Sequence, residues 1–113
     1  MKKKLDGLDK LMIEHLKDPE FAAAYLKENW EYQGPDKLEL LLQALHRIAL
    51  ARGMTEVSRK SGVSRRNLYK MFSETGNPSA KTLLVVMDAL GVRMTIEQVK
   101  SRQKPLKKEK KAI

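Results

Sequence analysis

The chain has 113 residues, 42% of them hydrophobic and only 5% aromatic, which allows one domain around one modest aliphatic core. Its formal net charge is +9 and it has no cysteine, so disulfide frameworks and cysteine metal sites are excluded and a reducing, cytoplasmic setting is expected. No apolar run approaches the roughly 20 residues that span a bilayer, and the basic start is broken by Asp6 and Asp9 before any apolar stretch forms, so it does not read as a signal peptide.

Leu5, Leu8, Met12 and Leu16 recur at helical spacing, but Gly7, Asp6 and Asp9 weaken the pattern. Residues 1–17 therefore read as an N-terminal arm or a helix that orders on a partner. Asp18-Pro19-Glu20 is a helix start: a capping carboxylate, a proline in the first turn and an acid at the positive end of the dipole. That helix is predicted to run to about Tyr32, with Ala22, Tyr25, Leu26, Asn29 and Trp30 on one face. Gln33-Gly34 ends it, and Pro35-Asp36 opens the next, to about Arg52. Leu38, Leu41, Leu42, Leu45, Ile48 and Ala49 form its core-facing stripe.

Beyond Gly53, a short helix from Met54 or Thr55 to Ser61 is predicted, then Gly62, then a helix capped by Ser64 that runs to Phe72 or Ser73. Glu74–Pro78 is a loop by composition. Ser79 caps a last helix that stops at Gly91. Its centre, Leu83–Met87, is apolar enough for a buried strand, but its length and its Pro-Ser start and Gly stop favour a helix. Val92, Met94 and Ile96 alternate, as in a short strand or extended segment. From Lys100 the chain is basic and poor in apolar residues, and a disordered tail is expected over 97–113. Long alternating runs are missing elsewhere, so an all-α fold is predicted.

The charge is uneven. Residues 1–35 hold six Lys/Arg and seven Asp/Glu; the remainder holds seventeen and seven. The cationic part coincides with the two short helices around Gly62 and with the tail, a distribution that suits a polyanion. A glycine between two helices permits a left-handed turn and a steep crossing. If Val57, Val63, Leu68 and Met71 point inward, helical geometry turns Ser64, Arg65, Arg66, Tyr69 and Lys70 outward. A cationic first turn on the second helix is what DNA-reading proteins place in a major groove. Arginine can grip guanine O6 and N7, and serine can meet a base edge or a phosphate. Thr55 suits a phosphate contact at the preceding helix start, and Asn77 and Lys81 suit one from the other side. Tyr69 has a second reading, as packing at a helix junction. The bland alternative for the whole unit is a helical hairpin with a solvated basic face.

Residues 18–96 resemble the Xre/lambda-repressor-like helix-turn-helix proteins, and within them the addiction-module antidote (HigA-like) branch. The stretches that carry the resemblance are Asp18 through Leu26, Ala44-Leu45 through Ala51-Arg52-Gly53-Met54, Gly62-Val63-Ser64-Arg65, Leu68-Tyr69-Lys70, Gly76-Asn77-Pro78, Thr82-Leu83-Leu84 and Ala89-Leu90-Gly91. Ser58 departs from the small alanine usual at the helix crossing. The resemblance implies a bundle of about five helices with an N-terminal extension and a short C-terminal extended segment. It also implies a bacterial type II antitoxin that binds its own operator, expected to be palindromic double-stranded DNA, as a homodimer and neutralises a RelE/HigB-like toxin. A stand-alone or phage-derived regulator, or an interaction module with weak DNA binding, are the alternatives. Toxin contact is expected in the N-terminal third, at Leu5, Leu8 and Met12, because its charge is near balance and it carries surplus apolar side chains. No cofactor, metal or catalytic role is expected: His15 and His46 are the only histidines, and no phosphate-cradling glycine motif is present.

Overall fold

The computed structural model describes residues 7–98. Six helices follow one another: α1 (Gly7–His15), α2 (Pro19–Trp30), α3 (Lys37–Arg52), α4 (Met54–Ser61), α5 (Arg65–Met71) and α6 (Ala80–Ala89). No strand forms among the described residues. The Val92–Ile96 alternation thus yields no strand: a strand needs a ladder partner for its backbone groups, and the helices supply none.

Local chemistry explains the boundaries. The Asp18 side chain accepts a hydrogen bond from the Glu20 N–H at 3.1 Å, with Pro19 in the first turn of α2. Ser64 and Ser79 cap α5 and α6 in the same way, accepting from the Asn67 and Thr82 N–H groups, each at 3.1 Å. Gly62 sits at φ +77° and ψ 6°, the left-handed region, which costs a residue with a Cβ roughly 1–2 kcal/mol. Gly76 answers a different constraint, since a Cβ there would collide with the Met71 carbonyl.

α3 is the central element. α1 and α2 pack along it, and α4 joins its C-terminal end to α5 and α6. Leu42, Leu45, Ile48, Val57, Leu68 and Val86 are fully buried around it. Each such side chain stabilises the fold by about 1.5–3 kcal/mol relative to exposure. Two stripe residues depart from the predicted burial. Leu38 is 45% exposed because it lies in the first turn of α3, ahead of Leu41 where burial begins; Trp30, at the last residue of α2, is 40% exposed. α2 stops short of Tyr32, whose hydroxyl instead donates to Asp36 at 2.8 Å.

Residues 7–15 form a helix with specific ties to the bundle. Arg47 donates to the Asp9 carboxylate at 3.2 Å and to the Tyr25 hydroxyl at 2.9 Å, joining α1, α2 and α3. Burial works against the Arg47 charge, but Tyr25 and Asp9 more than offset it and raise its pKa. Arg52 donates to the Leu16 carbonyl at 2.9 Å, and Leu16 is itself buried. With α1 the described helices number six rather than about five. Leu5 and the basic tail from Lys100 lie outside the described residues.

Candidate nucleic-acid interface

α4, the Gly62 turn and α5 form the unit on which the sequence concentrates its cations. Val57, Leu68 and Met71 are buried, and Val63 packs against the core from the turn. The turn is braced by side chains. Ser58 donates to the Val63 carbonyl at 2.7 Å, and Ser61 accepts from the Val63 N–H at 3.1 Å. Ser58 therefore adds a hydrogen bond across the turn, worth about 1 kcal/mol net.

With those positions anchored, Ser64, Arg65, Arg66 and Lys70 emerge exposed on α5. Arg65 and Arg66 have no ion-pair partner among the described residues, whereas Arg59 on α4 is held by Glu56. Two unspent guanidinium groups in one helical turn form a surface that suits phosphate or base edges. Thr55 is exposed in the first turn of α4, and Asn77 and Lys81 are exposed at the entry to α6. α4 packs against both α5 and α6. Asn67 shares the exposed side of α5 and escaped the sequence reading. The available signal was its place three residues after the Ser64 cap and two before Tyr69. An exposed asparagine there can pair with adenine N6 and N7.

Tyr69 is different: it is half-buried. Its ring meets His46 of α3 edge-on, at 6.0 Å and 88°. His46 also stacks on Phe72 at 4.9 Å and 10°. The α3–α5 junction thus holds three rings in contact, which fits the second reading of Tyr69. The Nε2 atom of His46 is buried with no hydrogen-bond partner. Burial first, and the neighbouring Arg47 charge second, push the His46 pKa below the ordinary imidazole value. The unfolded chain therefore takes up a proton on His46 at higher pH than the folded chain does. The stability from neutral His46 is fully present above pH about 6.5 and is lost as pH falls from there toward the lower folded value. Chemical denaturation of wild-type protein and His46→Phe, at pH about 7.5 and about 5.5, should show the variant gaining on wild type in acid. A pH-independent difference between them contradicts this account of the junction.

Among the described residues no group of His, Asp or Glu is arranged to hold a metal ion, and no helix is long and apolar enough to cross a membrane. His15 stacks on Phe21 at 5.3 Å.

Comparison with known proteins decides the family. The model of a family described as probable addiction module antidote protein matches residues 7–98. The chain belongs to that family. An uncharacterized protein of Haemophilus influenzae is 41% identical to this antidote-family chain over 87 residues, which cover 77% of the chain and 87% of the relative. No solved structure matches it. An antidote of an addiction module implies a toxin partner in general terms. Of the residues expected at a toxin contact, Leu8 of this antidote-family protein is 75% exposed and Met12 is half-buried against the core.

Proposed function

We propose that this antidote-family protein is the antitoxin and autorepressor of a type II toxin-antitoxin module. On this reading α4 and α5 are a helix-turn-helix unit, and α5 reads the operator of its own genes from the major groove. The observation that carries it is the exposed, unpaired Arg65–Arg66 turn, capped by Ser64 and anchored from behind by Leu68 and Met71. Arg65, Arg66 and Asn67 are the base-reading candidates. Ser64, Thr55, Lys70, Asn77 and Lys81 are the phosphate contacts, with Tyr69 at the edge of the interface. The partners are palindromic operator DNA, a second copy of this chain and a RelE/HigB-like ribonuclease toxin.

One such unit reads only a few base pairs, so two copies about 34–36 Å apart are required for specificity. Leu84 is 52%, Met94 38% and Ile96 99% exposed, and they provide apolar surface near the C-terminal end for the second copy. DNase footprinting of the region upstream of the gene tests the reading. It expects one protected, two-fold symmetric site with two chains bound, in the bacterial cytoplasm where the nucleoid lies. Protection spread evenly over any duplex would reduce the protein to an interaction module with weak DNA binding.

The tail gives a separate prediction. Residues 101–113 carry six Lys/Arg and one Glu. Clustered lysines and arginines neutralise phosphates, a contact that carries no sequence information. Deleting 101–113 should weaken binding to operator and random DNA alike and flatten the dependence on salt, read by fluorescence anisotropy. A changed operator preference would contradict it.

A further inference from the structure

Two exposed aromatic side chains and a leucine flank the α2–α3 connection, in a stretch whose charge is opposite to that of the chain. Trp30 at the end of α2, Tyr32 in the turn and Leu38 in the first turn of α3 are 40%, 40% and 45% exposed. They are not loosely displayed. The Tyr32 hydroxyl is tied to Asp36 at 2.8 Å, and the Lys37 ammonium lies 4.4 Å from the centroid of the Trp30 ring. Tryptophan and tyrosine held in place offer large contact area at small ordering cost, and they are enriched among the residues that dominate protein interfaces.

The charge around them runs against the rest of the molecule. Residues 18–39 hold six carboxylates and two lysines, in a chain whose net charge is +9. Glu28, Glu31 and Glu39 are exposed and make no ion pair among the described residues. Such a surface repels nucleic acid and attracts a cationic protein.

We propose that the α2–α3 corner is where the antidote takes its protein partner. Trp30, Tyr32 and Leu38 receive apolar side chains of a basic segment, and Glu28, Glu31 and Glu39 face its lysines and arginines. The proposal rests on the antitoxin reading and names the surface and the chemistry of the toxin segment that meets it. It moves the contact away from α1. Leu8 and Leu11 are more exposed, at 75% and 56%, but the carboxylates of α1 are already engaged, Asp9 by Arg47 and Glu14 by Lys17. Among the described residues the α1 edge therefore has no unpaired carboxylate to attract a cationic partner, and its remaining unpaired charge is the exposed Lys10. The corner belongs to α2 and α3 and the Arg65–Arg66 turn to α5, so the antidote holds toxin and DNA on separate elements.

The test is calorimetric titration of the full-length protein with the toxin encoded beside it, at low and high salt. Trp30→Ala should weaken binding by about 30-fold or more, the size of an interface anchor. The paired charge reversal Glu31→Lys and Glu39→Lys touches no core residue. It should weaken binding about tenfold and flatten its salt dependence. Arg65→Ala with Arg66→Ala should bind toxin as wild type does. Wild-type affinity in both the Trp30 and the charge-reversal proteins overturns the proposal while leaving the antitoxin reading intact. So does loss of binding confined to Leu8→Asp with Leu11→Asp. Failure of wild-type protein to bind the toxin overturns both this proposal and the antitoxin reading.

Discussion

Replacing Arg65 and Arg66 together with alanine is expected to abolish discrimination between operator and random duplex while leaving the fold intact. Each arginine stands exposed and unpaired, so its removal costs the folded state within about ±0.5 kcal/mol. A bidentate arginine–guanine contact is worth about 1–3 kcal/mol of discrimination, and the double variant loses two. Residual binding should be electrostatic and equal on all sequences, supported by Lys70, Lys81 and the tail. Competition gel shifts on wild type and variant measure this directly. Undiminished preference for the operator in the variant would remove α5 from the recognition surface.

The second large effect is expected at Leu68. Its side chain is fully buried beneath the face that carries the arginines, and it fastens α5 to the bundle. Leu68→Ala should cost about 2–5 kcal/mol through lost burial and the cavity left behind. A small domain has only about 5–15 kcal/mol in total. The thermal midpoint should therefore fall by about 10 °C or more, followed by circular dichroism, and operator affinity should fall with it. The two variants separate the roles of neighbouring residues. The arginine pair changes recognition at constant stability, and Leu68 changes stability first. A Leu68→Ala protein as stable as wild type would mean that α5 is not anchored as described.

Much of the helical framework is legible in the sequence because it rests on local chemistry. Asp18-Pro19, Ser64 and Ser79 announce helix starts through bonds to residues two or three places ahead. Gly62 announces the turn through a backbone state that other residues avoid. The outward direction of Arg66 and Lys70 follows from the inward direction of Leu68 and Met71 by helical geometry, whereas Arg65, three residues before Leu68, is exposed because it is the first residue of α5. Features built from distant residues are not legible. Periodicity assigns Leu38 and Trp30 to the inner face but does not say where along each helix the core ends. The ties of Arg47 to Asp9 and Tyr25 reach 38 and 22 residues along the chain. The contact of His46 with Tyr69 and Phe72 is equally hidden until α3 and α5 are brought together. The Val92–Ile96 alternation is a true period of two, yet a strand also requires a neighbouring strand, which no local pattern reports.

The central claim is that α5 lies against DNA bases, and backbone amide mapping by NMR tests it most directly. Isotope-labelled protein titrated with the operator duplex should show its largest shifts at Ser64, Arg65, Arg66 and Asn67, with smaller shifts at Thr55, Asn77 and Lys81. The α2–α3 corner at Trp30 and Tyr32 should stay unchanged. The same protein with random duplex should shift the cationic residues weakly and without saturation. Operator-induced shifts centred on α1 or on the α2–α3 corner, with α5 silent, would contradict the account.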